Sequence, residues 1–215
     1  MKTFWDERYS TAGYVYGETP NLFFKEQIST LTPCKLLMPA EGEGRNAVFA
    51  ATLGWDVTAF DQSEEGRRKA ISLAQKHHIE ITYKVGEVSE VSFEENSFDA
   101  IGLIFAHFPS AQRRIYHRRF SSYLKKGGVI ILEAFSKNHE KFQALNPGIG
   151  GPKDIDMRYT TAELEADFPD FDILILREEE VHLEEGPNHS GIGSVIRFVG
   201  VKRGDSDPSS VIRDQ

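Results

Sequence analysis

Between residues 35 and 135 short apolar runs alternate with stretches whose apolar positions recur at helical spacing. Residues 35–38 (K-L-L-M), 56–60 (D-V-T-A-F), 79–85, 98–105 and 128–135 read as strands. The last two are nearly continuous apolar runs, which suit strands buried on both faces. Residues 46–53, 63–78 and 111–124 carry helical signals. Gly54 follows the first, and Ser63 can cap the second with Glu64 and Glu65 in its first turn, where acidic charge suits the helix dipole. Strand and helix in alternation predict a parallel α/β sheet.

The rhythm changes after residue 138. Residues 138–159 include Asn146-Pro147-Gly148-Ile149-Gly150-Gly151-Pro152 and read as a flexible loop at an edge where pockets are commonly shaped. Thr160 and Glu163 form a candidate capping box for a helix to Phe168, which Pro169 stops. Two strand-like runs follow, 171–183 and 194–202, joined by residues 184–191 with no room for a crossover helix, so they must pair antiparallel. The expected fold is α/β, a Rossmann-like doubly wound sheet, mostly parallel and ended by a C-terminal antiparallel hairpin. Three parts are expected: an aromatic-rich N-terminal lid segment (1–34), the main domain (35–202) and a polar tail (203–215).

Composition narrows the function classes. A chain of 215 residues with 40% hydrophobic and 27% charged positions fits one globular domain. Its 25 basic against 33 acidic residues, a net charge of −8, argue against a general nucleic-acid binder, which needs clustered positive charge. One cysteine, Cys34, allows neither an internal disulfide nor a cysteine-based zinc site. His77 and His78 close a helix without a metal-ligand spacing, so no metal is expected. No apolar run approaches the roughly 18 residues of a membrane span, and the acidic start M-K-T-F-W-D-E-R lacks the apolar stretch of a signal peptide, so a cytoplasmic location is expected. Arg113, Arg114, Arg118 and Arg119 around His117 read as a solvated helix face.

The first strand runs into Pro39-Ala40-Glu41-Gly42-Glu43-Gly44-Arg45-Asn46-Ala47, a turn that opens a helix. Gly42–Ala47 reads G-x-G-x-x-A: glycines allow close approach of backbone to a ligand, and the helix N-terminus offers free N–H groups. Asp61 closes the second strand, where a carboxylate can accept hydrogen bonds from both ribose hydroxyls. Nicotinamide dinucleotides and S-adenosylmethionine share that geometry. The absence of a Y-x-x-x-K pair and the terminal hairpin favour the second. A nicotinamide-dependent oxidoreductase and a non-catalytic nucleotide-binding module stay open as alternatives.

Further motifs carry a resemblance. Trp5 to Tyr9 (W-D-E-R-Y), Tyr14 to Asn21 (Y-V-Y-G-E-T-P-N), Pro39 to Ala47, Phe98 to Ile101 (F-D-A-I) and Leu124 to Gly128 (L-K-K-G-G) together resemble class I S-adenosylmethionine-dependent methyltransferases, and more narrowly the tellurite-resistance and thiopurine methyltransferase-like group. The resemblance covers roughly residues 4 to 202 and implies the seven-stranded methyltransferase fold. It departs from the family's D/E-x-G-x-G-x-G loop in having Met38 and Ala40 at the acidic and first glycine positions, with Glu41 as the substitute carboxylate.

The resemblance implies S-adenosyl-L-methionine as cofactor, with Ala40, Glu41, Gly42 and Gly44 at its methionine end. Asp61 is implied at the ribose, Gln62 and Ser63 beside the adenosine, Glu87 at the adenine amino group, and Val88 and Phe105 also about the cofactor. The implied partner is a small-molecule acceptor, a soft nucleophile such as a thiol or a chalcogen oxyanion, taken by a monomer or a dimer. Candidate catalytic residues are His107, as a base or as a structural histidine, with Arg8 and Tyr16. Tyr159 and His189 are further pocket candidates.

Overall fold

The centre of the sheet is Lys35–Pro39 (β1), a five-residue strand with Leu36 to Pro39 buried. It pairs in parallel with Asp56–Asp61 (β2) on one side and Phe98–Ile104 (β4) on the other. Thr82–Val85 (β3) extends the parallel sheet beyond β2, and Leu124–Phe135 (β5) extends it beyond β4. Phe171–Glu184 (β6) and Ser190–Lys202 (β7) form the antiparallel hairpin, with β7 set against β5, so the order is β3-β2-β1-β4-β5-β7-β6. The doubly wound sheet with its terminal hairpin is the expected one. This computed structural model describes residues 2–186 and 188–204, so most of the tail expected over 203–215 lies outside the described residues.

Alternation along β1 explains the two layers. Leu36 and Met38 face one side, where they meet buried residues of Leu22–Ile28 (α2), Arg45–Thr52 (α3) and Glu64–Lys76 (α4). Leu37 faces the other, towards Ser110–Tyr123 (α5) and Thr161–Asp167 (α7). The Thr160/Glu163 capping box at α7 is present in both halves. β5 starts earlier than the pattern indicates because Leu124 pairs with Phe98 before a bulge resets the register at Ala100 and Val129, which accommodates the polar Lys125-Lys126-Gly127-Gly128 stretch.

The N-terminal segment divides in two. Lys2–Tyr9 (α1) packs on α4, whereas α2 buries Phe23, Phe24 and Ile28 completely in the layer it shares with α3. Each such side chain contributes ~1.5–3 kcal/mol, so α2 is core. Residues 138–159 are likewise more ordered than a loop, with Glu140–Leu145 (α6) and short 3-10 turns at Lys137–His139, Pro147–Ile149 and Ile155–Met157.

Candidate functional site

The carboxyl ends of β1, β2 and β4 open into a cavity of about 660 Å³, the position where open α/β sheets bind ligands. At two of these ends the chain is bent sharply by non-glycine residues in the left-handed region, Ala40 (φ 52°) and Phe105 (φ 51°). Both line the cavity, and the Phe105 N–H donates to the Glu133 carbonyl at 2.7 Å, which holds the bend. Strain of this kind persists where neighbours fix it.

The turn after β1 is organised by carboxylates. Gly44, the N-cap of α3, has no side chain to satisfy the helix. Glu41 Oε1 does so instead, accepting from Asn46 N–H at 2.9 Å and Ala47 N–H at 2.7 Å. Asp61 accepts from Gly42 N–H at 3.1 Å and Ser63 N–H at 2.9 Å. Burial pushes the Glu41 carboxyl up to about 7 and the Asp61 carboxyl up to about 6 despite these bonds. Both carboxylates line the cavity, as does Gln62, whose buried Oε1 has no partner among the described residues. Glu87 and Val88 form the wall after β3.

Three expected cofactor residues stand behind the wall. A Cβ on Gly42 would meet Tyr9 Oη at 2.5 Å, and one on Gly44 would meet Ala70 Cβ at 2.5 Å, so protein fills the space that these glycines open. Ser63 caps α4 through Gly66 N–H at 3.0 Å and donates to Asp6 Oδ1 at 2.6 Å, joining α1 to α4.

At the other end of the cavity, Arg8 Nη1 donates to Tyr16 Oη at 2.8 Å, with the guanidinium over Phe4 (4.8 Å) and Trp5 (5.4 Å). Burial pushes the Tyr16 hydroxyl above its usual range. His107 also lines the cavity, but Nδ1 lies 2.7 Å from the Met157 carbonyl and Nε2 accepts from Phe135 N–H at 3.3 Å. Both nitrogens are therefore engaged, and burial lowers the pKa to about 3, so the ring is neutral. Tyr159 lies outside the cavity lining: its hydroxyl bridges Phe108 N–H and the Ala106 carbonyl, each at 2.9 Å, in the core.

His189 does line the cavity, and around it is a buried polar network that the sequence reading missed. Its Nδ1 lies 3.3 Å from Glu185 Oε2, which also accepts from Arg45 Nη2 at 2.8 Å. Asn21 Nδ2 donates to Glu185 Oε1 and to Glu133 Oε1, both at 2.7 Å, and Arg197 pairs with Glu133 at 2.6 Å. Glu43 was also missed: buried, it pairs with Lys69 at 2.7 Å and accepts from Val15 N–H at 2.8 Å, tying the N-terminal segment to the turn. The only available signal was that Glu43 and Arg45 lie inside the glycine turn. The arginine-rich face of α5 differs from expectation too. Arg113 and His117 are buried and share Asp167 of α7, at 2.7 and 2.9 Å, which clamps the two helices together.

Among the described residues, no group of three or more His, Cys, Asp or Glu side chains could hold a metal, and no helix is long and apolar enough to cross a membrane.

Residues 37–128 match the family model described as a methyltransferase domain. Two Haemophilus influenzae proteins named as probable S-adenosyl-L-methionine-dependent methyltransferase TehB are 25% identical over 83 residues, which is 39% of this chain and 29% of theirs. The match thus spans under a third of those relatives. The crystal structure of TehB from Haemophilus influenzae superposes with a TM-score of 0.69 at 17% identity, covering 94% of this chain and 67% of that one. A structure described as the conversion of a disulfide bond into a thioacetal group during echinomycin biosynthesis gives 0.73 at 19% identity, covering 98% and 95%. The glycine turn and the sheet order agree with that match: residues 37–128 carry a methyltransferase domain, the sheet is the seven-stranded methyltransferase fold, and TehB-like proteins are distant homologues.

Proposed function

We propose that this protein moves a methyl group from S-adenosyl-L-methionine to a small acceptor. The observation that carries the reading is one continuous cavity, which runs from Asp61 and Gln62 at the end of β2 to Tyr16 and His189 and is large enough for a donor and an acceptor side by side. The residues fit the donor. The unpartnered Gln62 Oε1 and the Asp61 carboxylate are buried acceptors that line the cavity, and an adenosine brings hydroxyl and amino groups that donate to such acceptors.

In this reading Asp61 takes the ribose hydroxyls, Glu87 the adenine amino group, and Glu41 and Ala40 border the methionine end. Val88 and Phe105 supply apolar wall, while Gly42, Gly44 and Ser63 shape the turn from behind. The cofactor supplies an electrophilic methyl on a sulfonium, so transfer is an in-line displacement. The protein's part is to align the reactants and exclude water, which the aromatic wall of Phe4, Trp5, Phe105 and Phe135 does. Arg8 and Tyr16 stand where the acceptor enters. With both nitrogens occupied, His107 serves as wall and brace. The acceptor is a small molecule of soft nucleophilic character, a thiol or a chalcogen oxyanion by resemblance, taken by a monomer.

Calorimetry and melting with S-adenosylhomocysteine and with NADH test this. A ligand selective for the native state adds RT ln(1 + [L]/Kd) to stability. S-adenosylhomocysteine is expected to raise the melting temperature and NADH to leave it unchanged; the reverse would favour the oxidoreductase, and no shift with either would overturn the proposal.

A further inference from the structure

Two histidines, His107 and His189, line the cavity and a third, His139, packs on Phe135 of its wall at 4.0 Å; their hydrogen bonds differ in kind. His107 has both ring nitrogens engaged, as described, and so does His139, with Nε2 3.1 Å from the Gly150 carbonyl and Nδ1 accepting from Ser194 N–H at 3.3 Å. His189 is held on one side only. Its Nδ1 meets the Glu185 carboxylate, and no hydrogen bond among the described residues engages Nε2, which is not an orphan sealed from solvent. The ring is fixed by Tyr16 and Phe105, each at 4.6 Å, and by Phe135 at 5.3 Å, while its Cδ2 edge lies against Gly150. Glu185 is itself immobilised by Arg45 and Asn21. A carboxylate that accepts Nδ1–H sets the tautomer in which Nε2 carries a lone pair.

We infer that His189 is the group that takes the proton from the methyl acceptor, with Glu185 as its positioning residue, and that the acceptor arrives as a neutral S–H compound instead of a preformed anion. The inference rests on the methyltransferase reading above. In the step, the S–H bond breaks and its proton goes to Nε2. The electron pair left on the acceptor sulfur forms the new S–CH3 bond as the methyl leaves the donor sulfonium, whose bonding pair stays on the departing sulfur. The imidazolium beside Glu185 then releases its proton to solvent.

The charged and titratable surroundings agree. Burial lowers the His189 pKa from its ordinary value, Glu185 raises it, and Arg45 and Arg8 lower it, with His107 and His139 facing it as neutral rings and Tyr16 as a neutral phenol. The ring is thus neutral and able to accept a proton at neutral pH. A base held below its usual strength matches a thiol, at about 8.5, better than a hydroxyl near 10 or above.

The test uses two thiols at mildly acidic pH, where thiophenol is protonated and 4-nitrothiophenol is ionised. His189→Gln is expected to lower kcat/KM for thiophenol by roughly 10²–10⁴-fold and to leave 4-nitrothiophenol within about fivefold, since no proton remains to be moved. Without turnover, thiophenol bound beside S-adenosylhomocysteine should show the thiolate absorbance in the wild type and lose it in His189→Gln. An unchanged affinity for S-adenosylhomocysteine would show that the variant is folded. In the wild type alone, kcat/KM for thiophenol should fall on an acid limb that 4-nitrothiophenol lacks. Glu185→Gln should move that limb to lower pH, which loss of packing alone would not do. Equal losses with both thiols, no loss with either, or a wild type that binds S-adenosylhomocysteine but methylates neither thiol would overturn the assignment. Failure to bind S-adenosylhomocysteine would instead overturn the methyltransferase reading beneath it.

Discussion

Asp61 and Glu41 accept backbone N–H groups of the turn, yet burial holds them near 6 and 7, above their ordinary 3.8 and 4.5. A carboxyl raised in this way keeps an extra proton in the folded state between its two pKa values. The stability it contributes is therefore complete at low pH and is lost as pH rises, from about 4 to 6 for Asp61 and from about 4.5 to 7 for Glu41. Ligand hydroxyls donating to Asp61 favour its ionised form and reverse the trend for binding. Affinity for S-adenosylhomocysteine should rise between about pH 5 and 7 with release of a proton, measurable by calorimetry in two buffers of unlike ionisation enthalpy. A flat affinity with no proton release would put the ribose elsewhere. Asp61→Ala should weaken binding by about 2–3 kcal/mol, and it should also cost the fold about 1–3 kcal/mol, because the N–H groups of Gly42 and Ser63 lose their acceptor.

At the scale of elements, the turn between β1 and α3 brings two helices into contact. Gly44 has φ 88°, and a Cβ there would meet Ala70 of α4 at 2.5 Å. Gly44→Ala should therefore lose roughly 2–5 kcal/mol, from the left-handed backbone and the overpacking together. A lower urea midpoint at unchanged m-value would show it, and Ala70→Gly in that background should restore part of the loss. An unaltered midpoint would mean that α3 and α4 can move apart freely. Elements marked by local signals were legible in the sequence: the apolar strands, the Ser63 cap, the Thr160/Glu163 box and the hairpin with no room for a crossover. α1 and α2 were not, because one is mostly polar and the other is a seven-residue stretch whose Asn21 cap was not recognised as such. The network around His189 was illegible for a different reason. Arg45 and Glu185 lie 140 positions apart and Asn21 and Glu185 164, so only the folded sheet brings them together. The sequence likewise showed His107 at a strand end but not that the chain would occupy both its nitrogens.

Across the whole molecule, the N-terminal residues act as two bodies with different duties, and truncation should separate them. α2 places Phe23, Phe24 and Ile28 in the core. Removing all three forfeits about 5–9 kcal/mol of burial, against a total stability of about 5–15 kcal/mol for a typical domain. Deletion of residues 1–30 should therefore unfold the protein. The segment before α2 is attached differently. Tyr9 is buried against Gly42, Asp6 meets Ser63, and Val15 and Gly13 are held by Glu43 and Lys69, while Phe4 is 52% exposed at the cavity rim. Apart from the buried Tyr9 and Val15 these ties are polar or peripheral, so this part can open at a cost below global unfolding. Deletion of residues 1–12 should leave a cooperatively folded protein that has lost the aromatic cover and Arg8. On the proposed function, sulfonium chemistry would then proceed in a wetter site, where electrostatic guidance is weaker. Methyl transfer should fall by at least about tenfold, and in the intact protein hydrogen exchange over residues 2–17 should slow when S-adenosylhomocysteine binds. A truncated protein that methylates at the full rate, with exchange in this segment indifferent to ligand, would assign Phe4, Trp5 and Tyr9 to packing on α4 alone.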